Sequence, residues 1–343
     1  VILREAQSQK LDHHITLTRT LTARTRAAGG NETRTCRSPL RWPLSTAAWL
    51  ELAMLRPFVQ IDVFTGLPLA GNPLAVVLDA NGLDDATMQR FARWTNLSET
   101  TFVLAPTSEK ASYRLRIFTP MSELPFAGHP SVGTAWALLD AGLVKPNNQH
   151  LVQECAAGFL DVQIAGDGAQ RVVSIQAPAA RRSALSPEVI EALPRSVAAF
   201  GSLVGARPIL SDVGARWLLL EIASRAQVRG LVPDFERIAT LSRSLGAEGL
   251  AVFSFEPQLP VPLELRAFAP ASGVAEDPVT GSAHAAVADW LSSQGRLATL
   301  NGRYLASQGH AVGRSGEVSV LSHSGNTYVG GRCCMLIRGA VDL

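Results

Sequence analysis

Two turns about 150 residues apart place side chains that can give or take a proton beside a glycine. The first reads Glu123-Leu124-Pro125-Phe126-Ala127-Gly128-His129, the second Glu276-Asp277-Pro278-Val279-Thr280-Gly281-Ser282. Arg-x-Phe-x-Pro stands before each, as Arg116 to Pro120 and Arg266 to Pro270. After each comes an apolar stretch that closes on a glycine 14 residues on, at Gly142 and Gly295. The first N–H groups of a helix lack intrahelical acceptors and carry the positive end of its dipole, so they bind anions. Glycine there lets a ligand approach the backbone. Two such turns face to face across a cleft would hold a carboxylate or similar anion, with His129, Asp277 and Ser282 beside it. Each residue alone has a plainer reading: a cap or core histidine, a charge favourable at a helix start, a serine cap. Capping does not explain why corresponding turns carry different proton-capable groups.

Glu99 is the remaining candidate. It sits at the mouth of the apolar run Thr100 to Leu104, in a segment with no other charge. It is either a solvated or capping carboxylate or a general base, and the second role needs burial that lifts its pKa towards the working pH.

The elements that must carry these residues follow from pattern. Phe58 to Phe64, Leu74 to Leu78 and Tyr113 to Phe118 alternate or run apolar as strands do. Leu83 to Trp94 reads as a helix with Asp84 and Asp85 in its first turn and Leu83, Met88, Phe91 and Ala92 on one face. The stretches from Gly128 to Gly142 and from Ser282 to Ser293 are apolar nearly all round, which predicts buried helices. Further strands are predicted at 149–154, 158–165, 171–176, 215–222, 249–255, 263–268, 318–321 and 334–338, and a helix at 235–245. Residues 178–194 read as a linker with a short helix near Pro187. The chain is thus expected to be α+β, with a leader to residue 53, one half over 54–178 joined by a C-terminal strand at 332–343, and a second half over 179–331.

The chain has 343 residues, 47% of them hydrophobic, enough for a sizeable core. Residues 1–53 hold eight of the 31 Lys and Arg and four of the 29 Asp and Glu, so the remainder is net −2. That balance argues against nucleic-acid or membrane binding by the body of the chain. The Arg- and Thr-rich leader reads as translation taken too far upstream of Met54, as a disordered tail, or as a transit peptide. Four cysteines, at 36, 155, 333 and 334, form no Cys-x-x-Cys, which points to a reducing cytoplasm. No nucleotide-binding glycine motif and no metal-ligand cluster appears, so neither cofactor nor metal is expected.

Four segments together resemble the PhzF-like phenazine-biosynthesis family: Gly71 to Val77, Asn96 to Phe102, Glu123 to Pro130 and Glu276 to His284. The resemblance runs from about residue 55 to the C-terminus. It implies the diaminopimelate-epimerase-like fold: two pseudo-symmetric halves, each a barrel-like, mostly antiparallel sheet around a central helix, with the site between them. It also implies a cofactor-independent isomerase acting on a small cyclic carboxylate such as dihydro-3-hydroxyanthranilate, and a homodimer. Carried over, the proton-moving glutamate is Glu99. His129, Asp277 and Ser282 assist transfer or orient substrate, and Gly128, Gly281, Thr280 and Asn72 bind it. Fold relatives that racemise amino acids use one cysteine in each turn, and neither turn here has one. An epimerase or lyase on another small carboxylate, and a non-catalytic binding protein, are the alternatives.

Overall fold

Tyr113-Arg114-Leu115-Arg116-Ile117-Phe118 buries alternate side chains and then both of its last two, the signature of a strand against a core. The computed structural model describes residues 55–196 and 207–343. The leader, Cys36 and residues 201–206 lie outside the described residues.

Among the described residues eighteen strands form one continuous sheet. In the first half they are β1 (Leu55–Val63), β2 (Asn72–Val77), β3 (Thr100–Leu104), β4 (Tyr113–Phe118), β5 (Glu123–Leu124), β6 (His150–Cys155), β7 (Gly158–Ala165) and β8 (Val172–Gln176). Then come β9 (Arg181–Ala184), β10 (Ile209–Asp212), β11 (Arg216–Glu221), β12 (Gly249–Phe255), β13 (Leu263–Ala269) and β14 (Val274–Asp277). The last are β15 (Arg303–Gln308), β16 (Gly316–His323), β17 (Asn326–Gly331) and β18 (Cys333–Asp342). The helices are α1 (Asp85–Thr95), α2 (Gly128–Asp140), α3 (Pro187–Ser196), α4 (Arg225–Arg229), α5 (Phe235–Leu245) and α6 (Gly281–Ser293).

The pairing repeats. β1–β2–β3–β4–β6–β7–β8 joins in the senses antiparallel, parallel, antiparallel, parallel, antiparallel, antiparallel. β10–β11–β12–β13–β15–β16–β17 joins in the same senses and order. The two runs meet where β8 pairs with β17. Each half lends its last strand to the other: β9, following β8, pairs with β10, and β18, following β17, pairs with β1. The fold is α+β, two pseudo-symmetric halves of barrel-like sheet around a central helix.

Those central helices are α2 and α6, buried on nearly every side. Gly133 shows how closely the first sheet wraps its helix: a Cβ there would lie 2.6 Å from Val63 Cγ2 and 2.7 Å from Leu74 Cδ2. Both helices end alike. Leu143 N–H returns to Leu138 O and Arg296 N–H to Leu291 O, with Gly142 and Gly295 at positive φ. This six-to-one closure explains the shared 14-residue spacing. On the outer faces α1 sets Met88 and Phe91 over Val77, Phe102 and Phe118, and α5 sets Ile238 among Leu218, Leu250 and Phe268.

The repeated Arg-x-Phe and Glu are braces. Arg116 grips Glu123 through Nε and Nη2 at 2.7 and 2.6 Å, and its guanidinium lies 5.1 Å from the Phe118 ring centre. Arg266 grips Glu276 at 2.9 and 2.7 Å and lies 5.0 Å from Phe268. Each brace ties a core strand to the short strand leading into a turn of the site. Two expectations need correction. Residues 178–194, expected as a linker, contain β9, and a four-residue strand with no buried residue leaves no hydrophobic pattern to read. Ser282 does not cap α6; Thr280 is the N-cap residue, and Ser282 Oγ accepts a bond from Trp217.

Candidate active site

α2 and α6 begin against each other. A Cβ on Gly128 would lie 3.6 Å from Gly281 Cα, and one on Gly281 would lie 3.5 Å from His129 N and 3.3 Å from Phe64 Cζ. The two helix starts are thus packed in contact, and the tightest fit is Gly281 against the Phe64 ring. Neither start has a side-chain cap: Ala127 offers none, and the Thr280 hydroxyl is turned away to Asp277. Two sets of free N–H groups and two positive dipole ends converge on one place.

Glu99 arrives from the first half. α1 ends on Asn96 in the left-handed region (φ 53°), which turns the chain so that Glu99 immediately precedes β3. Its Oε2 is 3.4 Å from His129 Nε2, with side chains 16% and 7% exposed, and neither atom has a hydrogen-bond partner among the described residues. Burial lifts the Glu99 carboxyl to about 7; the neighbouring Ser98 hydroxyl opposes this and the charge of Glu248 adds to it. Burial pushes His129 down to about 4, against the pull of Asp277, so the imidazole is neutral near pH 7. Burial raises Asp277 to about 6, with His129, Thr280 and Asn72 holding it down and Glu99 pushing it up. Three groups thus titrate within reach of one another, and the macroscopic steps belong to the set.

Asp277 is clamped from both halves. Asn72 Nδ2 donates to its Oδ1 at 3.0 Å and to Val279 O at 2.9 Å; Thr280 Oγ1 donates to its Oδ2 at 2.5 Å. Gln308 Nε2 donates to Asp277 O and Thr280 Oγ1, each at 2.9 Å, and Gln308 Oε1 accepts from Thr280 N–H. Glu99, His129, Asp277, Gly128, Gly281 and Ser282 therefore gather at the paired helix starts. Asn72 and Thr280 gather there too, but their donors are spent on holding Asp277. His284, one turn into α6, is fully buried with both ring nitrogens unpartnered. Among the described residues no group of three or more His, Cys, Asp or Glu is placed to hold a metal ion, and no helix is long and apolar enough to cross a membrane.

A family model described as PhzC-PhzF, phenazine biosynthesis-like protein, matches residues 61–339. The chain belongs to this family. It is 36% identical to "Antisense-enhancing sequence 1" of Schizosaccharomyces pombe, over 82% of this chain and 97% of that one. It is 33% identical to a trans-2,3-dihydro-3-hydroxyanthranilate isomerase of Pseudomonas chlororaphis, over 80% of this chain and 97% of the relative. In fold it is similar to the crystal structure of a PhzF-family phenazine biosynthesis protein from Bacillus anthracis, at TM-score 0.73, 24% identity and coverage of 84% and 99%. Relatives across the family bear the names of isomerases, and the chain is an isomerase.

The candidate site has further members that sequence reasoning missed. Gln308 supports Asp277, Trp217 holds Ser282, and Phe64, at φ 64°, sets its ring against Gly281. Gln308 carries a signal of its own, a polar residue that ends a strand and precedes a glycine. Trp217 and Phe64 carry none, because each looks like core.

Proposed function

We propose that this protein is a cofactor-independent isomerase that moves a proton within a small cyclic carboxylate, with Glu99 as the acid and base. The observation that carries the reading is the buried Glu99–His129 pair, 3.4 Å apart and otherwise unpartnered, beside two uncapped helix starts. A carboxyl near pKa 7 can take a proton from carbon and give it back, since neither form is strongly favoured. The free amides at Gly128 and Gly281 hold the substrate carboxylate and stabilise the negative charge that develops after deprotonation. His129, neutral, donates or relays at the reacting face. The charge of Asp277 favours the protonated form of His129 against its burial.

The substrate in this reading is trans-2,3-dihydro-3-hydroxyanthranilate, the compound in the name of the Pseudomonas chlororaphis relative. An epimerase that works with two bases fits less well. The duplicated pairing makes Gly249 the counterpart of Glu99, so the second half brings no matching carboxylate.

The test is proton NMR in D₂O with that compound, wild type beside Glu99→Gln. Wild type alone should convert it, with deuterium in the product. Acid–base help of this kind is worth ~10²–10⁴ in rate, so a variant that keeps near-full turnover removes Glu99 from the role.

A further inference from the structure

Trp217, the second residue of β11, is 3% exposed, and its Nε1–H donates to Ser282 Oγ at 3.0 Å. The duplication shows what this bond replaces. Thr100 pairs with Phe118 in the first half and Leu250 with Phe268 in the second, so Glu99 corresponds to Gly249. His129 and Ser282 correspond as the second residues of α2 and α6. In the first half a carboxylate meets an imidazole. In the second, no side chain leaves position 249: a Cβ there would lie 2.1 Å from Phe268 O and 2.9 Å from Trp217 Cζ3. The indole fills the room a second carboxylate would need and sends its own polar atom to Ser282.

We propose that Trp217 is a positioning residue that directs the Ser282 hydroxyl proton at the ligand, making the second half a hydrogen-bond donor. A serine hydroxyl has one proton and two acceptor sites, and an indole N–H can only donate. Trp217 therefore fixes Ser282 as acceptor on its inner side. Among the described residues Ser282 Oγ has no other partner, and the residue is partly exposed, so its proton is left for a ligand oxygen. The free amides at the start of α6 beside it are donors as well. The ligand group that belongs there is a lone-pair-bearing oxygen, a carboxylate or hydroxyl of the substrate; an ammonium group would face the free amides and find only the remaining Ser282 lone pair to accept from it.

This inference rests on the isomerase reading, and one set of assays separates the two. Trp217→Phe keeps the ring and removes the N–H. With trans-2,3-dihydro-3-hydroxyanthranilate its KM should rise about 3- to 10-fold, the net worth of a hydrogen bond. kcat should stay within about two-fold, and the rising limb of the pH profile should not move. Ser282→Ala should raise KM at least as much, and the double variant should be no worse than Ser282→Ala alone. An unchanged KM in Trp217→Phe, or two effects that multiply, overturns the proposal while wild-type turnover keeps the isomerase reading. Wild type that neither binds nor converts the compound overturns both. Should Trp217→Phe not fold, the substrate-induced NMR shift of the Trp217 indole proton decides. On the non-converting Glu99→Gln background it should be present, and Ser282→Ala should abolish it. A shift that survives overturns the proposal.

Discussion

Glu99 is held in a place that suits chemistry and costs stability. Its folded pKa of about 7 stands above the ordinary value of 4.5, so the folded state keeps a proton the unfolded chain has lost. The stability this group allows is fully present below pH 4.5 and is lost as pH rises through about 7. The shift corresponds to about 3 kcal/mol. Glu99→Gln removes the penalty. Chemical denaturation should find the variant more stable than wild type by up to that amount at pH 8 and equal to it near pH 4.5. A variant less stable at pH 8 would mean that the carboxylate is well solvated or paired. Catalysis should follow the same titration. kcat/KM should climb as pH rises through about 7, because the base must first lose its proton, and the limb should vanish in Glu99→Gln with the activity. His129, low at about 4, adds no limb in that range.

At the scale of elements, the two Arg–Glu braces look alike in sequence and differ in setting. Arg266 and Glu276 have side chains each 5% exposed, and Arg266 Nη1 also donates to Val228 O and Leu231 O. Arg116 and Glu123 are 17% and 36% exposed. Removing one partner of a buried pair strands the other charge and costs about 3–5 kcal/mol; an exposed pair is worth about 0–1 kcal/mol. Urea titration should therefore find Glu276→Gln destabilised by several kcal/mol and Glu123→Gln by about 1 kcal/mol or less. Equal losses would place both braces in the same dielectric. This pair also marks what could be read in advance. The repeated Arg-x-Phe-x-Pro, Glu, Gly and closing Gly were visible because each residue type answers a local demand of its own element. Strict alternation likewise marked β4, and apolar residues nearly all round marked α2 and α6. β9, β10 and β14 were not legible, since strands of four residues are held by their neighbours and not by their own pattern. His129 and Ser282 stood out because each is a proton-capable residue beside a turn glycine, Asp277 because it stands in the second of the two repeated turns, and Glu99 because it is a lone charge at the mouth of a strand. Trp217 and Phe64 did not, because their part depends on which distant residue each ring meets, and that is set by the duplication.

The whole molecule turns on the seam where β8 meets β17. There the two repeated runs of strands join, and the exchanged strands β9 and β18 follow directly from it. Gly330 faces Ser174 across the seam, and a Cβ on it would fall 2.2 Å from Ser174 Oγ and 2.3 Å from Val173 O. Gly331, next to it, lies against Phe64, whose ring reaches Gly281 at the site. The backbone atom at 2.3 Å belongs to a paired strand and cannot rotate aside, so Gly330→Ala must push β8 and β17 apart. Overpacking of this kind costs about 1–3 kcal/mol. Because the seam is continuous through Gly331 and Phe64 with the helix starts, the same variant should lower kcat at pH 8 by about ten-fold or more, a misplacement of roughly 1 Å at the reacting groups being enough. Gly142→Ala serves as the comparison. It also strains a glycine, at φ 68°, but sits at the far end of α2 with nothing within 4 Å of the new Cβ. It should lose about 1–2 kcal/mol of stability and keep its kcat. If the two variants lose stability and turnover in the same proportion, the seam carries no special burden, and the site is set by α2 and α6 alone.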